Sequence, residues 1–165
     1  MESLVNLLRA EGIVVRGNVA LRGKDESNVY FDVKKAYGNP RLLKIIAKAT
    51  LDILDPKTSC VAAKGYGGIP LATAVSLEGQ IPLATVRDGA QKHGLRKWIE
   101  GYIPCKEDHV TLIDDVFTTG GSLREVAEVV ERYGAKIHRG IVVIKRGEVK
   151  MLFPVNCLVD YRELL

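Results

Sequence analysis

Cysteine, histidine and long apolar runs are all scarce in this chain. The three cysteines, Cys60, Cys105 and Cys157, lie far apart with no C-x-x-C, and the three histidines, His93, His109 and His138, do not cluster. That argues against a disulfide framework and against a zinc site, and leaves three reduced thiols. No run approaches the roughly 20 apolar residues that a membrane-crossing helix needs. The N-terminal MESLVNLLRAEG mixes acids and bases, where a secretory leader would place a basic patch before an apolar stretch. A cytoplasmic protein with no membrane partner is expected. Internal repeats, low-complexity segments and long linkers are missing, and so is the G-x-x-x-x-G-K-[ST] of a P-loop. The net charge of +4 comes from dispersed cations rather than a basic stripe, and no helix-turn-helix is evident, so a nucleic-acid partner has little support.

What is present fits one enzyme-sized core. A chain of 165 residues, 47% apolar, suffices for a single domain over residues 1–165 and is short for two. Glu2 to Ala10 reads as a short helix with Leu4, Leu7 and Leu8 on one face, ended by Gly12. Val14 to Leu21 and Asn28 to Val33 read as strands around a charged hairpin, GKDES. Asn39 as N-cap and Pro40 in the first turn open a helix to about Leu54. From Cys60 onward strand and helix alternate: CVAAK, a glycine turn, a helix from Ile69 to Leu77, then LATV. HVTLI, a helix from Ser122 to Tyr133, KIHRGIVVIK and a last strand around Asn156 to Val159 follow. Such alternation predicts an α/β fold, a central mostly parallel sheet flanked by helices, behind a small N-terminal unit.

The most informative stretch is VTLIDDVFTTGGS, Val110 to Ser122. A buried strand leads into Asp114 and Asp115 at its carboxyl end, where open α/β sheets bind ligands. Thr118, Thr119, Gly120, Gly121 and Ser122 follow, and then an amphipathic helix with apolar Leu123, Val126, Ala127, Val129 and Val130. Glycines let backbone N–H groups approach a phosphate, and a helix N-terminus favours an anion. The bland alternative is a strand, a turn and a helix capped by Ser122 or Thr119. Two consecutive carboxylates weigh against it, because like charges side by side are unfavourable without a cation or a hydroxyl-rich ligand.

This pattern resembles the 5-phosphoribosyl 1-diphosphate (PRPP) signature of type I phosphoribosyltransferases, and other segments narrow the likeness. RDGAQKHGLRKWIEG, Arg87 to Gly101, resembles the mobile loop of orotate phosphoribosyltransferases, with Arg87, Ala90, His93, Gly94, Ile99, Glu100 and Gly101 in register. LRGKDESNVYFD resembles the family's substrate hood, AKGYGGIPLA its pyrophosphate-side loop, and IVVIKRG places Arg146 at an orotate-contacting arginine.

The resemblance implies the type I phosphoribosyltransferase fold, with a hood formed mainly by residues 1–35 and the C-terminal segment. It also implies transfer of the phosphoribosyl group from PRPP to orotate in pyrimidine synthesis, with Mg²⁺ as cofactor. Asp114, Asp115, Lys92 and His93 would carry the chemistry, the two acids holding metal mostly through PRPP and water. PRPP would be bound by Tyr66, Gly67, Arg87, Asp88, Gln91, Lys92, His93, the two acids, Val116, Phe117 and the loop from Thr118 to Ser122. Orotate would meet Arg22, Tyr30, Phe31, Thr118 and Arg146. A homodimer with shared active sites is implied, with Arg87 to His93 reaching into the partner.

Taken alone, these residues have plainer readings. His93 would be a solvated loop residue and Arg146 the cap of a strand. One of Tyr30 and Phe31 belongs to the core, since neighbours on a strand face opposite sides. Trp98 reads as a packing or dimer residue, and His109 and His138 flank strands without suggesting a metal. The chain also departs from the family. Asp88, Gln91 and Gly67 stand where lysines are usual, and Arg22 replaces a lysine with a different geometry. Lys64, Lys92, Arg96 and Lys97 are the candidate relocated cations. Another base, or a PRPP sensor without chemistry, are the alternatives.

Overall fold

The computed structural model describes residues 2–20, 26–89 and 97–165. A first helix, α1 (Leu4–Ala10), is capped by the Ser3 hydroxyl, which accepts from the Asn6 N–H at 3.2 Å. It ends at Gly12, whose φ of +69° lies in the left-handed region. Strands β1 (Val14–Ala20) and β2 (Glu26–Phe31) pair antiparallel as a separate two-stranded sheet. Glu26 and Ser27, expected in the hairpin, thus belong to a strand, and Val33, expected in one, caps the short helix α2 (Lys34–Tyr37). Helix α3 (Pro40–Asp52) starts as the sequence predicts, with the Asn39 side chain accepting from the Leu42 N–H.

Six strands form the main sheet in the order β5-β4-β3-β6-β7-β8: Ile99–Gly101, Leu83–Val86, Cys60–Lys64, His109–Phe117, Lys136–Lys145 and Val155–Asp160. Every pairing is parallel except that of β5 with β4. The expected α/β architecture is the observed one. Helix α4 (Gly65–Gly79) packs with α3 on one face, and α5 (Gly121–Arg132) packs on the other. The period-two alternation of the strands serves both faces. Val61, Ala63 and Ile113 join Leu42, Ile46, Leu71 and Val75 in one core, while Cys60, Ala62, Val110 and Leu112 join Leu123, Val126 and Val130 in the other. Leu71 is fully buried, so its truncation to alanine costs about 2–5 kcal/mol.

Four further elements differ from the sequence reading, each for a local reason. Helix α4 begins at Gly65, four residues before the expected Ile69, because Gly65 at φ +66° turns the chain straight out of β3. The glycines taken for a turn form the first helical turn, and they are small because that turn lies against β6: a Cβ on Gly68 would come within 2.7 Å of the Ile113 carbonyl oxygen. Strand β6 runs to Phe117, so Asp114 and Asp115 lie within its last four residues rather than beyond it. Neither Ser122 nor Thr119 caps α5; Gly120 does, without a side-chain bond. The edge strand β5 was hidden in a loop motif, being only three residues long. Among the described residues no helix is long and apolar enough to cross a membrane.

At the C-terminus a single 3-10 turn, Tyr161–Glu163, carries the chain back to the two-stranded sheet. The Tyr161 ring meets Phe31 edge-on at 6.3 Å, and Leu164 is buried in the same core as Leu8 and Phe31.

Candidate active site

Asp114 and Asp115 project from consecutive positions of a strand and so meet different surroundings. Asp114 is buried; its Oδ1 accepts the Asp115 N–H at 2.9 Å, and the carboxylate faces the cavity that opens towards α5. Burial first, then the neighbouring Asp115 charge, pushes its pKa well above the usual carboxylate range, against the opposing pull of the Asp115 N–H and the Ser122 hydroxyl. Asp115 turns towards α4 and α2. Its Oδ1 accepts the Val116 N–H at 2.8 Å and its Oδ2 lies 3.6 Å from the Lys34 ammonium. A Cβ on Gly67 would overlap that carboxylate, so the glycine at this position is what allows Asp115 its place.

Sequence reasoning passed over Lys34, and nothing in periodicity marks it. Its ammonium lies 3.2 Å from Asp32 and 3.2 Å from the Tyr30 hydroxyl, besides its contact with Asp115. Partial burial lowers the Lys34 pKa, but Tyr30, Asp115 and Asp32 together outweigh it and hold the group firmly protonated. Tyr37 was missed too; its hydroxyl donates to the Gly67 carbonyl at 3.0 Å and ties α2 to the first turn of α4.

A cavity of 320 Å³ lies beyond Asp114, lined by residues 116 to 123 and Glu125. Its floor is the turn from Thr118 to Ser122. Gly120 takes φ +77°, and a Cβ there would stand 2.7 Å from the Met151 sulfur and 3.0 Å from the Phe117 ring. Glycine is thus required both by conformation and by space. The turn ends in the N-terminus of the twelve-residue α5, whose first N–H groups lack helical partners and whose dipole favours an anion. Val116 and Phe117 contribute as the end of β6, and the Phe117 ring is buried under the turn.

Of the remaining expected site residues, Arg22, Gln91, Lys92 and His93 lie outside the described residues, as does Arg96. Arg87 donates to the Glu100 carboxylate at 2.8 Å across β4 and β5. Asp88 lies 3.3 Å from the Lys64 ammonium. Tyr66 is 89% exposed at the start of α4. Arg146 donates to the Val29 carbonyl at 2.9 Å and lies 6.0 Å from the centre of the Phe31 ring, so it joins β7 to β2 rather than merely capping a strand. Of the pair Tyr30 and Phe31, Phe31 is the one buried in the core. Trp98 packs beside α5 with the Arg132 guanidinium over its ring at 5.6 Å. The Cys60 thiol is buried in the sheet, and burial pushes its pKa up to about 12.

The donor set suits a hard cation. Among the described residues no group of three or more His, Cys, Asp and Glu side chains is assembled to hold a metal by itself. Two adjacent carboxylates, one of them buried beside the like charge of the other, are hard oxygen donors of the kind that fit Mg²⁺.

A paired-acid strand end, a glycine turn and a helix N-terminus around one cavity define an α/β site for a ligand that carries both phosphate and hydroxyl groups. Residues 33–153 match the family model described as phosphoribosyl transferase domain. The orotate phosphoribosyltransferase of Methanosarcina mazei is 40% identical over 148 residues, covering 89% of this chain and 79% of its own. That of Pyrococcus horikoshii is 39% identical over 150 residues, covering 89% and 80%. The crystal structure of orotate phosphoribosyltransferase from Aeropyrum pernix has the same fold, with a TM-score of 0.81 at 24% identity over 99% of this chain and 96% of that one. The chain belongs to the phosphoribosyltransferase family and, within it, to the orotate phosphoribosyltransferases.

Proposed function

We propose that this protein transfers the 5-phosphoribosyl group of PRPP to orotate, giving orotidine 5-phosphate and pyrophosphate on the route to UMP. The observation that carries the proposal is the buried Asp114, crowded by the like charge of Asp115 and facing the cavity whose wall is the Thr118 to Ser122 turn. A pentose phosphate supplies what such an arrangement lacks. Its hydroxyls donate to the two carboxylates, and its 5-phosphate accepts from the turn's N–H groups and from the hydroxyls of Thr118, Thr119 and Ser122.

The reaction forms a bond between the pyrimidine nitrogen and the anomeric carbon as the bond from that carbon to the diphosphate oxygen breaks. The electron pair leaves with pyrophosphate. Positive charge grows on the sugar and is stabilised by the nearby carboxylates, while the leaving group needs cations. Asp114 and Asp115 would hold Mg²⁺, which would supply charge neutralisation at the diphosphate. The Lys34 ammonium, 3.6 Å from its Oδ2, orients Asp115. Lys92 and His93, with Arg87, act on the diphosphate, and Gly67 and Tyr66 border it. Arg146 and Tyr30, with Arg22 and Thr118, receive the orotate carboxylate and ring. The working form is a cytoplasmic homodimer that shares residues across its two sites, and residues 1–165 act as one catalytic domain.

The test is the fall in orotate absorbance on mixing protein, orotate, PRPP and Mg²⁺, with an Asp114→Asn/Asp115→Asn double variant as control. Consumption that requires PRPP and is lost in the variant is expected. PRPP binding by calorimetry without orotate consumption would overturn the orotate reading.

A further inference from the structure

Among the described residues, Asp114 and Glu125 are the charged groups that line the cavity beyond Asp114, and no lysine, arginine or histidine joins them. A ligand bearing several phosphates cannot settle beside them unless cations arrive from the rim. Lys64 is one step away. It is the last residue of β3, and the parallel pairing of Ala62 with Leu112 places Lys64 two residues further along its strand, as Asp114 is along β6. Its ammonium is paired with Glu125 of α5 and lies 3.3 Å from Asp88 at the end of β4. The Lys64 side chain is only 18% exposed, whereas those of Asp88 and Glu125 are 87% and 61% exposed.

That asymmetry matters. An ammonium on a side chain this enclosed keeps a partner, but the two well-exposed acids lose little on releasing it to water. We infer that Lys64 is a diphosphate-binding residue, held by Asp88 and Glu125 in the substrate-free protein and passed to the pyrophosphate oxygens when PRPP enters. This deepens the proposed function and rests on it. The carboxylates act as placeholders for the leaving group: exchange keeps Lys64 paired, and its contact strengthens as the breaking bond puts further negative charge on the diphosphate. The 5-phosphate, gripped by the turn at the other side of Asp114, does not use this cation.

Calorimetric titration of pyrophosphate with Mg²⁺, and separately of ribose 5-phosphate, into wild type and Lys64→Met tests the assignment. Pyrophosphate affinity is expected to fall about ten- to a hundredfold, while ribose 5-phosphate affinity stays within about twofold. Lys64→Arg restores part of the loss, which guards against a folding defect in the methionine variant. Asp88→Asn, by removing a competitor, tightens pyrophosphate roughly two- to fivefold. In turnover, Lys64→Met raises KM for PRPP and lowers kcat. Equal weakening of both ligands, or a lowered melting temperature with pyrophosphate affinity intact, would make Lys64 a strut between β3 and α5 and overturn the inference. Wild-type protein that neither binds pyrophosphate nor consumes orotate would instead bring down the functional reading beneath it.

Discussion

The two ends of the central sheet use the same residue type to opposite effect. At the amino end, Asp108 is buried yet accepts from the Ser59 hydroxyl at 2.6 Å, the Tyr102 hydroxyl at 2.9 Å and the Cys105 N–H at 2.9 Å. Burial tends to raise its pKa, but those donors outweigh it and the net shift is downward. Asp55 nearby takes the Lys57 N–H at 2.8 Å, His138 at 2.9 Å and Arg139 at 3.1 Å, and is shifted downward as well. At the carboxyl end, Asp114 is equally buried but faces a second carboxylate and an open cavity, and its shift is upward. A saturated carboxylate stabilises the fold; a buried one crowded by a like charge stores binding capacity for a ligand.

The largest break in that contrast is Asp114→Asn. Turnover should fall at least about a hundredfold, since the carboxylate is lost where positive charge develops. Without metal or substrate, the same variant should melt higher than wild type at pH 7 to 8. The sign follows from the raised pKa: the folded state holds a proton that the unfolded state has released above about pH 4, so wild-type stability declines as pH rises towards the folded value. The advantage of the asparagine should vanish near about pH 4, where both states are protonated. Melting curves in EDTA across that range measure it; a variant less stable than wild type at every pH would remove the contrast.

Gly67→Ala sharpens the comparison from the other acid. Its Cβ must displace the Asp115 carboxylate, so kcat/KM for PRPP should drop about tenfold or more while the melting temperature moves little. A large loss of stability with unchanged kinetics would mean that Asp115 had room to adjust.

Asp108→Asn probes the saturated end. Its cost should be about 2 kcal/mol, or about 4 to 8 °C in melting temperature, with turnover per folded molecule unchanged. Because the folded pKa is depressed, that contribution is present above the unfolded value near about pH 4 and fades as pH falls through the folded one. A difference persisting at lower pH would assign the effect to packing rather than charge.

Much of this arrangement is legible in the chain. Strand β7 occupies the KIHRGIVVIK run from Lys136 to Lys145, and α5 buries the apolar residues that its period marks. Asn39 caps α3 as its position before Pro40 suggests. Strand alternation puts one of Tyr30 and Phe31 in the core, and Phe31 is the buried one. The start of α4 was not legible, because Tyr66, Gly67 and Gly68 have turn composition and are helical only through close packing on β6. Nor were the partners of Lys34 and Lys64, which come from elements remote in sequence.

By itself, the sequence determined the alternating α/β order, the paired acids and the glycine turn behind them, because hydrophobic period and backbone freedom are local properties of neighbouring residues. The tertiary structure decided which charges meet. Asp115 faces Lys34, Lys64 is held by Asp88 and Glu125, and Asp114 is left facing a cavity, because pairing between distant elements depends on register and helix placement that no local pattern encodes.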